Sequence, residues 1–107
     1  MIKLYRVISQ SEKDDFDSNG FRTAKNTIEA KQFFKSKEAT SHFANKAKLQ
    51  QYYPPYKYLL IVNIDKEDFD IIQHTSMQLD SYDAISIHED NLPAFNNCIK
   101  FVKQEAL

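Results

Sequence analysis

Two charged residues take positions that strand-like patterns normally give to apolar side chains, and they have the clearest capacity for chemistry. Arg6 interrupts the apolar face of segment 2–8, and Asp83 interrupts that of segment 81–88. A guanidinium in such a place needs an anionic partner, because burying it alone is costly. Two interpretations stay open. Either Arg6 and Asp83 form a structural ion pair or lie at exposed strand ends, or an anion-binding arginine and a catalytic carboxylate face one cleft.

The other reactive side chains favour structural roles. His42, His74 and His88 have no metal-ligand spacing among them, so we predict no metal site. Cys98 is the single cysteine, which excludes an internal disulfide, and its place on an apolar stripe favours a core residue over a nucleophile. The tyrosine- and proline-rich segment 52–56 either packs against the sheet or stacks on a base or a nicotinamide ring.

Composition removes several classes of function. The net charge is −1, so we expect no nucleic-acid partner. Gly20 is the only glycine, which excludes the glycine-rich phosphate loops of P-loop and Rossmann proteins. No stretch approaches the roughly 20 apolar residues of a membrane span. The N-terminus enters a strand pattern without a signal peptide, so we expect a cytoplasmic protein.

The elements that must position these residues follow from periodicity and capping. The 107 residues predict a single domain, 1–107, of the α+β class, with a mixed, split β-sheet and about three helices. The predicted strands span 2–8, 30–34, 58–64, 71–73 and 81–88; the predicted helices span 11–19, 37–50 and 91–102. The predicted core contains Leu4, Phe33, Phe43, Leu60, Val62, Ile85, Ile87, Phe95 and Ile99.

Four short motifs follow one another in a definite order along most of the chain. They are Leu4-Tyr5-Arg6, the segment 29–34 running into a helix at 36–39, the strand 82–87, and the segment 92–96 with its Phe-Asn pair. In this order they resemble the ADP-ribosyltransferase-like fold. The resemblance implies a small member of that family whose sheet is split around a cleft that holds NAD.

The resemblance also implies roles for particular residues. The first strand of such proteins carries an Arg or His that holds NAD, which corresponds to Arg6, next to Tyr5. A middle strand carries a Ser or Tyr near the nicotinamide, and Phe34 and Ser36 fall there. A late strand carries a catalytic glutamate, for which Asp83, one methylene shorter, is the nearest counterpart. An arginine would neutralise the pyrophosphate, and a carboxylate would stabilise the oxocarbenium-like ribose that forms as the glycosidic bond breaks.

Two functions from different classes follow. The first is an ADP-ribosyltransferase-like domain, either an NAD-dependent toxin or effector-type enzyme that modifies a protein target or a degenerate relative of one. The second is a non-catalytic protein-interaction module, such as an immunity protein or antitoxin, that uses the fold as a scaffold. The two differ in whether Arg6 and Asp83 face an open cleft.

Overall fold

The structure, a computed structural model, describes residues 1–23 and 30–107 and combines one β-sheet with four α-helices in this part of the chain. The predicted α+β class is therefore confirmed. The elements in chain order are β1 (Ile2–Ser9), α1 (Gln10–Asn19), β2 (Ala30–Phe34), α2 (Lys37–Leu49), β3 (Tyr56–Ile64), α3 (Lys66–Ile71), β4 (Thr75–Leu79), β5 (Tyr82–His88), α4 (Leu92–Cys98) and β6 (Ile99–Ala106). A short 3₁₀ turn, Glu89–Asn91, leads into α4.

The strands form one six-stranded sheet in the order β4-β5-β2-β1-β3-β6. The pairing of β1 with β3 runs from Ile2 opposite Ile64 to Ser9 opposite Tyr56. Within the described residues, β1 meets β2 at one pair only, Tyr5 opposite Phe34. All five pairings are antiparallel, so the predicted mixed sheet is wrong, and the six strands form one sheet in which the β1–β2 pairing is the shortest. Strand direction depends on how connections fold back, which apolar alternation does not encode.

The two faces of the sheet are covered differently. On one face, α1, α3 and α4 contribute Phe16, Phe69 and Phe95 to the main core. On the other face, α2 alone packs Phe43 and Ala44 against the strands. Of the nine predicted core residues, all are buried except Phe43 and Ile99, which are partly buried and pack against the buried clusters. The fully buried side chains of the main core are Leu4, Ile8, Phe21, Phe33, Leu60, Val62, Ile64, Ile85, Ile87, Leu92 and Phe95.

Two predicted elements are wrong in the second half of the chain. The last helix ends at Cys98, and the chain continues as β6 along the edge of β3, although the apolar stripe predicted a helix as far as Val102. Ile71 ends α3 instead of beginning a strand, and the strand that does form is β4. Pairing with a neighbouring strand decides both conformations, and such tertiary contacts override local propensity. No helix in the described part of the chain is long and apolar enough to cross a membrane.

Candidate functional site

A cleft of about 390 Å³ lies where β1 and β2 separate. This volume falls within the range of about 300–1,000 Å³ that is usual for small-molecule sites. Both strands, α1, α2 and the segment before β3 contribute to its wall. The lining residues are Arg6, Val7, Ser9, Glu12, Gln32, Phe34, Phe43, Tyr52, Pro54, Tyr56 and Leu79.

Arg6 is fixed at one end of the cleft by two partners. Its Nε and Nη2 donate to the two carboxylate oxygens of Glu12, over 2.7 and 3.0 Å. Its Nη1 donates to the backbone carbonyl of Gln32 over 3.0 Å. In a continued ladder Gln32 would lie opposite Val7, so the guanidinium satisfies a strand carbonyl beyond the point where β1 stops pairing with β2. The Arg6 side chain keeps 21% of its surface exposed, which leaves it accessible from the cleft.

A second cation, Lys31, shares the carboxylate of Glu12. The Lys31 ammonium lies 3.4 Å from Glu12 Oε2, and the two side chains are 13% and 24% exposed. Burial by itself would raise the pKa of the Glu12 carboxyl, but the hydrogen bonds and charges of Arg6 and Lys31 outweigh it and lower that pKa. Burial and the charge of Arg6 lower the pKa of Lys31. Two cations and one carboxylate give this cluster a surplus of one positive charge.

Aromatic rings form the wall that faces the charged end. Phe34 and Phe43 lie with ring centroids 5.3 Å apart, and Phe43 and Tyr56 with centroids 5.8 Å apart. Tyr52 stacks on Tyr56 at 5.2 Å with an interplanar angle of 16°. Burial and the neighbouring Tyr52 raise the pKa of Tyr56 to about 12, so its hydroxyl stays protonated at neutral pH. Segment 52–56 packs in part against the sheet, through Tyr56, while Tyr52 remains half exposed at the cleft; stacking of this segment on a ligand ring stays a prediction.

The structure brings together some of the predicted site residues. Arg6 and Phe34 both line the cleft. Tyr5 precedes Arg6 but packs beneath α2, among the apolar side chains around Phe43. Ser36 caps α2, where its hydroxyl accepts a hydrogen bond from the backbone N–H of Ala39 over 3.1 Å, and it is not among the described residues that line the cleft.

Asp83 lies apart from Arg6. Its side chain is exposed on β5, and its backbone carbonyl accepts a hydrogen bond from the N–H of Lys35 over 3.3 Å. The residues described along the cleft wall do not include it, and the carboxylate that pairs with Arg6 is that of Glu12. The structural ion pair considered between Arg6 and Asp83 is therefore wrong, because Arg6 pairs with Glu12 instead. The catalytic role of Asp83 stays a prediction.

Glu12 and Lys31 are the charged residues that the sequence interpretation missed. Both left a signal. Glu12 lies in the first turn of a helix that follows β1 directly, so its side chain can reach back to the strand. Lys31 alternates with Phe33 in the segment 30–34, so it shares the face of a core residue as Arg6 does.

The cleft thus combines Arg6 and Glu12 with aromatic side chains, and Lys31 contacts Glu12 without being among the described residues that line the cleft. In the described residues, no three His, Cys, Asp or Glu side chains converge on a possible metal site. The chain matches no family model, no curated protein and no solved structure.

Proposed function

We propose that the protein is an ADP-ribosyltransferase-like domain that binds NAD in the cleft between the two halves of its sheet. The observation that carries this proposal is the position of Arg6, which is paired with Glu12 in a cleft that is also lined by four aromatic side chains. NAD presents a pyrophosphate and two flat ring systems. Guanidinium groups bind phosphate oxygens with matched geometry, and aromatic side chains stack on flat rings.

The wall of the cleft suggests how the ligand lies. Its pyrophosphate would face Arg6, and one ring would lie along Phe43 and Tyr56. Tyr52, half exposed at the edge of the cleft, would cover the outer face of the ligand. The resemblance of the Leu4-Tyr5-Arg6 motif to the first strand of NAD-binding transferases supports the same orientation.

Turnover is a separate part of the proposal. Cleaving the glycosidic bond of NAD develops positive charge on the ribose, which a carboxylate stabilises. The family resemblance gives this role to Asp83, which is exposed and lies outside the described cleft wall. The described cleft wall alone gives Asp83 no contact with NAD, so this role rests on the resemblance. If the role holds, Asp83→Ala should remove glycohydrolase or transferase turnover while sparing NAD affinity, because a group that acts mainly in the transition state affects rate more than binding.

Calorimetric titration with NAD tests the binding proposal. The wild-type protein should release or absorb heat, and Arg6→Ala should abolish that heat by removing the phosphate contact. Arg22→Ala is the matched control, because Arg22 also pairs with a carboxylate, that of Asp15, but lies 59% exposed and outside the cleft. Absence of a binding signal with the wild-type protein at millimolar NAD would reject the proposal.

A second candidate is a protein-interaction module of the immunity-protein or antitoxin type. The observation in its favour is a surface groove beside α2 whose lining includes Tyr53 and Leu107, both largely exposed. Exposed tyrosines of this kind are enriched in protein interfaces. The same calorimetry separates the two functions, since an interaction module needs no NAD affinity and its Arg6→Ala variant should keep its partner.

A further inference from the structure

The Glu12 carboxylate occupies a position with the geometry of a phosphate site. One of its oxygens receives both Arg6 Nε, at 2.7 Å, and Lys31 Nζ, at 3.4 Å, while the other receives Arg6 Nη2 at 3.0 Å. The Nε and Nη2 edge of a guanidinium is a planar fork that fits carboxylate and phosphate oxygens equally well. A phosphate in this position would contact both cations with the same donor groups.

Charge favours a phosphate over the present occupant. Arg6 and Lys31 supply two positive charges, and Glu12 supplies one negative charge. A phosphate group with two negative charges would match both cations, whereas the Glu12 carboxylate supplies one negative charge and Asp15, itself paired with Arg22, adds only a weaker attraction to Lys31. In a partly buried cluster this imbalance weighs more than it would at the surface, because the surrounding medium screens it less.

Glu12 can leave this position without disturbing the core. It extends from the first turn of α1, a fully described helix in which no residue is buried. Rotation about its side-chain bonds would move the carboxylate toward solvent, since 24% of its surface is already exposed. Lys31 and Arg6, by contrast, extend from paired strands and would remain where they are.

We infer that Arg6 and Lys31 together form a two-cation phosphate site, in which the Glu12 carboxylate is a built-in occupant that a phosphate ligand displaces. This deepens the proposed NAD site, on which the identity of the natural ligand rests, and it adds Lys31 as a second phosphate-binding residue. The shared chemistry is a phosphate or pyrophosphate group, and it belongs equally to NAD and to smaller phosphate compounds.

The test uses Glu12→Gln, which keeps the shape of the side chain and removes its charge. Titrated with inorganic pyrophosphate in magnesium-free buffer, this variant should bind about tenfold more tightly than the wild-type protein, which corresponds to about 1.4 kcal/mol. Adding Lys31→Met to Glu12→Gln should cancel the gain. Asp15→Asn, which frees Arg22 from its carboxylate at the surface, is the control and should bind pyrophosphate no more tightly than the wild-type protein does.

The possible outcomes separate this inference from the proposed function. Unchanged or weaker pyrophosphate binding by Glu12→Gln overturns the inference and makes Glu12 a positioning residue for Arg6. If Glu12→Gln gains pyrophosphate affinity but the wild-type protein and all variants ignore NAD, the phosphate site stands and the NAD proposal falls. If Glu12→Gln is too unstable to titrate, Glu12→Asp replaces it: its carboxylate is one methylene shorter and should hold the two cations less well, so pyrophosphate should bind more tightly than to the wild-type protein, and an unchanged affinity would overturn the inference.

Discussion

The two sides of β1 differ sharply in how they are held. Toward β3, every residue from Ile2 to Ser9 has a partner across the ladder. Toward β2, the described residues pair only at Tyr5 and Phe34. Backbone groups that lose a ladder partner must be satisfied in another way, and on this side the Arg6 guanidinium does so for the Gln32 carbonyl. The cleft therefore forms where side chains replace backbone pairing.

The amino acids on each side account for the difference. Across the β1–β3 ladder, apolar residues meet on both faces, as at Leu4 opposite Val62 and Val7 opposite Leu59. Across the seam between β1 and β2, the charged side chains of Arg6 and Lys31 occupy the face that carries the main core elsewhere. Charges keep water and an ionic partner near them, and the strands diverge around that cluster.

The largest expected effect lies on the fully paired side. Leu60→Ala on β3 should lower the free energy of unfolding by about 2–5 kcal/mol, because Leu60 is completely buried and its removal leaves a cavity. Urea denaturation measures this loss. Leu49→Ala, at a position 85% exposed, is the control and should change the unfolding midpoint little. If the two variants lost similar amounts of unfolding free energy, the β1–β3 ladder would not be more sensitive to truncation than the surface.

A smaller loss is expected at the seam. Arg6→Met should cost about 1–3 kcal/mol, because it leaves the Gln32 carbonyl without its donor and the Glu12 carboxylate with Lys31 as its remaining cation. Arg22→Met removes an arginine–carboxylate pair at an exposed position and should leave the urea midpoint nearly unchanged. If Arg6→Met proved as stable as the wild type, the Arg6 guanidinium would not be the group that replaces the backbone pairing absent between β1 and β2.

The seam should also respond to acid. The pKa of Glu12 is lowered in the folded protein, so its ionised form adds stability that is complete above the ordinary glutamate pKa of about 4.3 and is lost as the pH falls through the lower folded value. Asp15 and Asp17 also have lowered pKa values, so the wild-type protein alone is not diagnostic. Urea midpoints near neutrality and in acid should differ less for Glu12→Gln than for wild type; equal differences would exclude Glu12 from the acid response.

The smallest effect concerns a residue that the family resemblance placed near the ligand. Ser36→Ala should cost about 1 kcal/mol, because the hydroxyl caps the N-terminus of α2. NAD affinity should be unaffected, since the described cleft wall does not include Ser36. A loss of NAD affinity at unchanged stability would mean that the cleft extends past the seam to the start of α2.

The sequence predicts those parts of the fold whose signals are local. Alternation and apolar runs locate β1, β2, β3 and β5 within one or two residues, and Ser36 marks the start of α2. The strand β6 escapes prediction, because Ile99 and Val102 have helical spacing and only the open edge of β3 makes them a strand. Arg6 is conspicuous for a charge on an apolar face, whereas its pairing with Glu12 depends on the angle between β1 and α1, which no local pattern encodes.

The stacked tyrosines of the cleft have an optical consequence. The chain contains no tryptophan, so its ultraviolet fluorescence arises from six tyrosines, and two of these, Tyr52 and Tyr56, lie in the cleft wall. A flat ligand ring that stacks against them would quench part of that emission. The protein therefore carries an intrinsic reporter of cleft occupancy that needs no label, and Tyr56→Phe would identify how much of the signal comes from the inner ring.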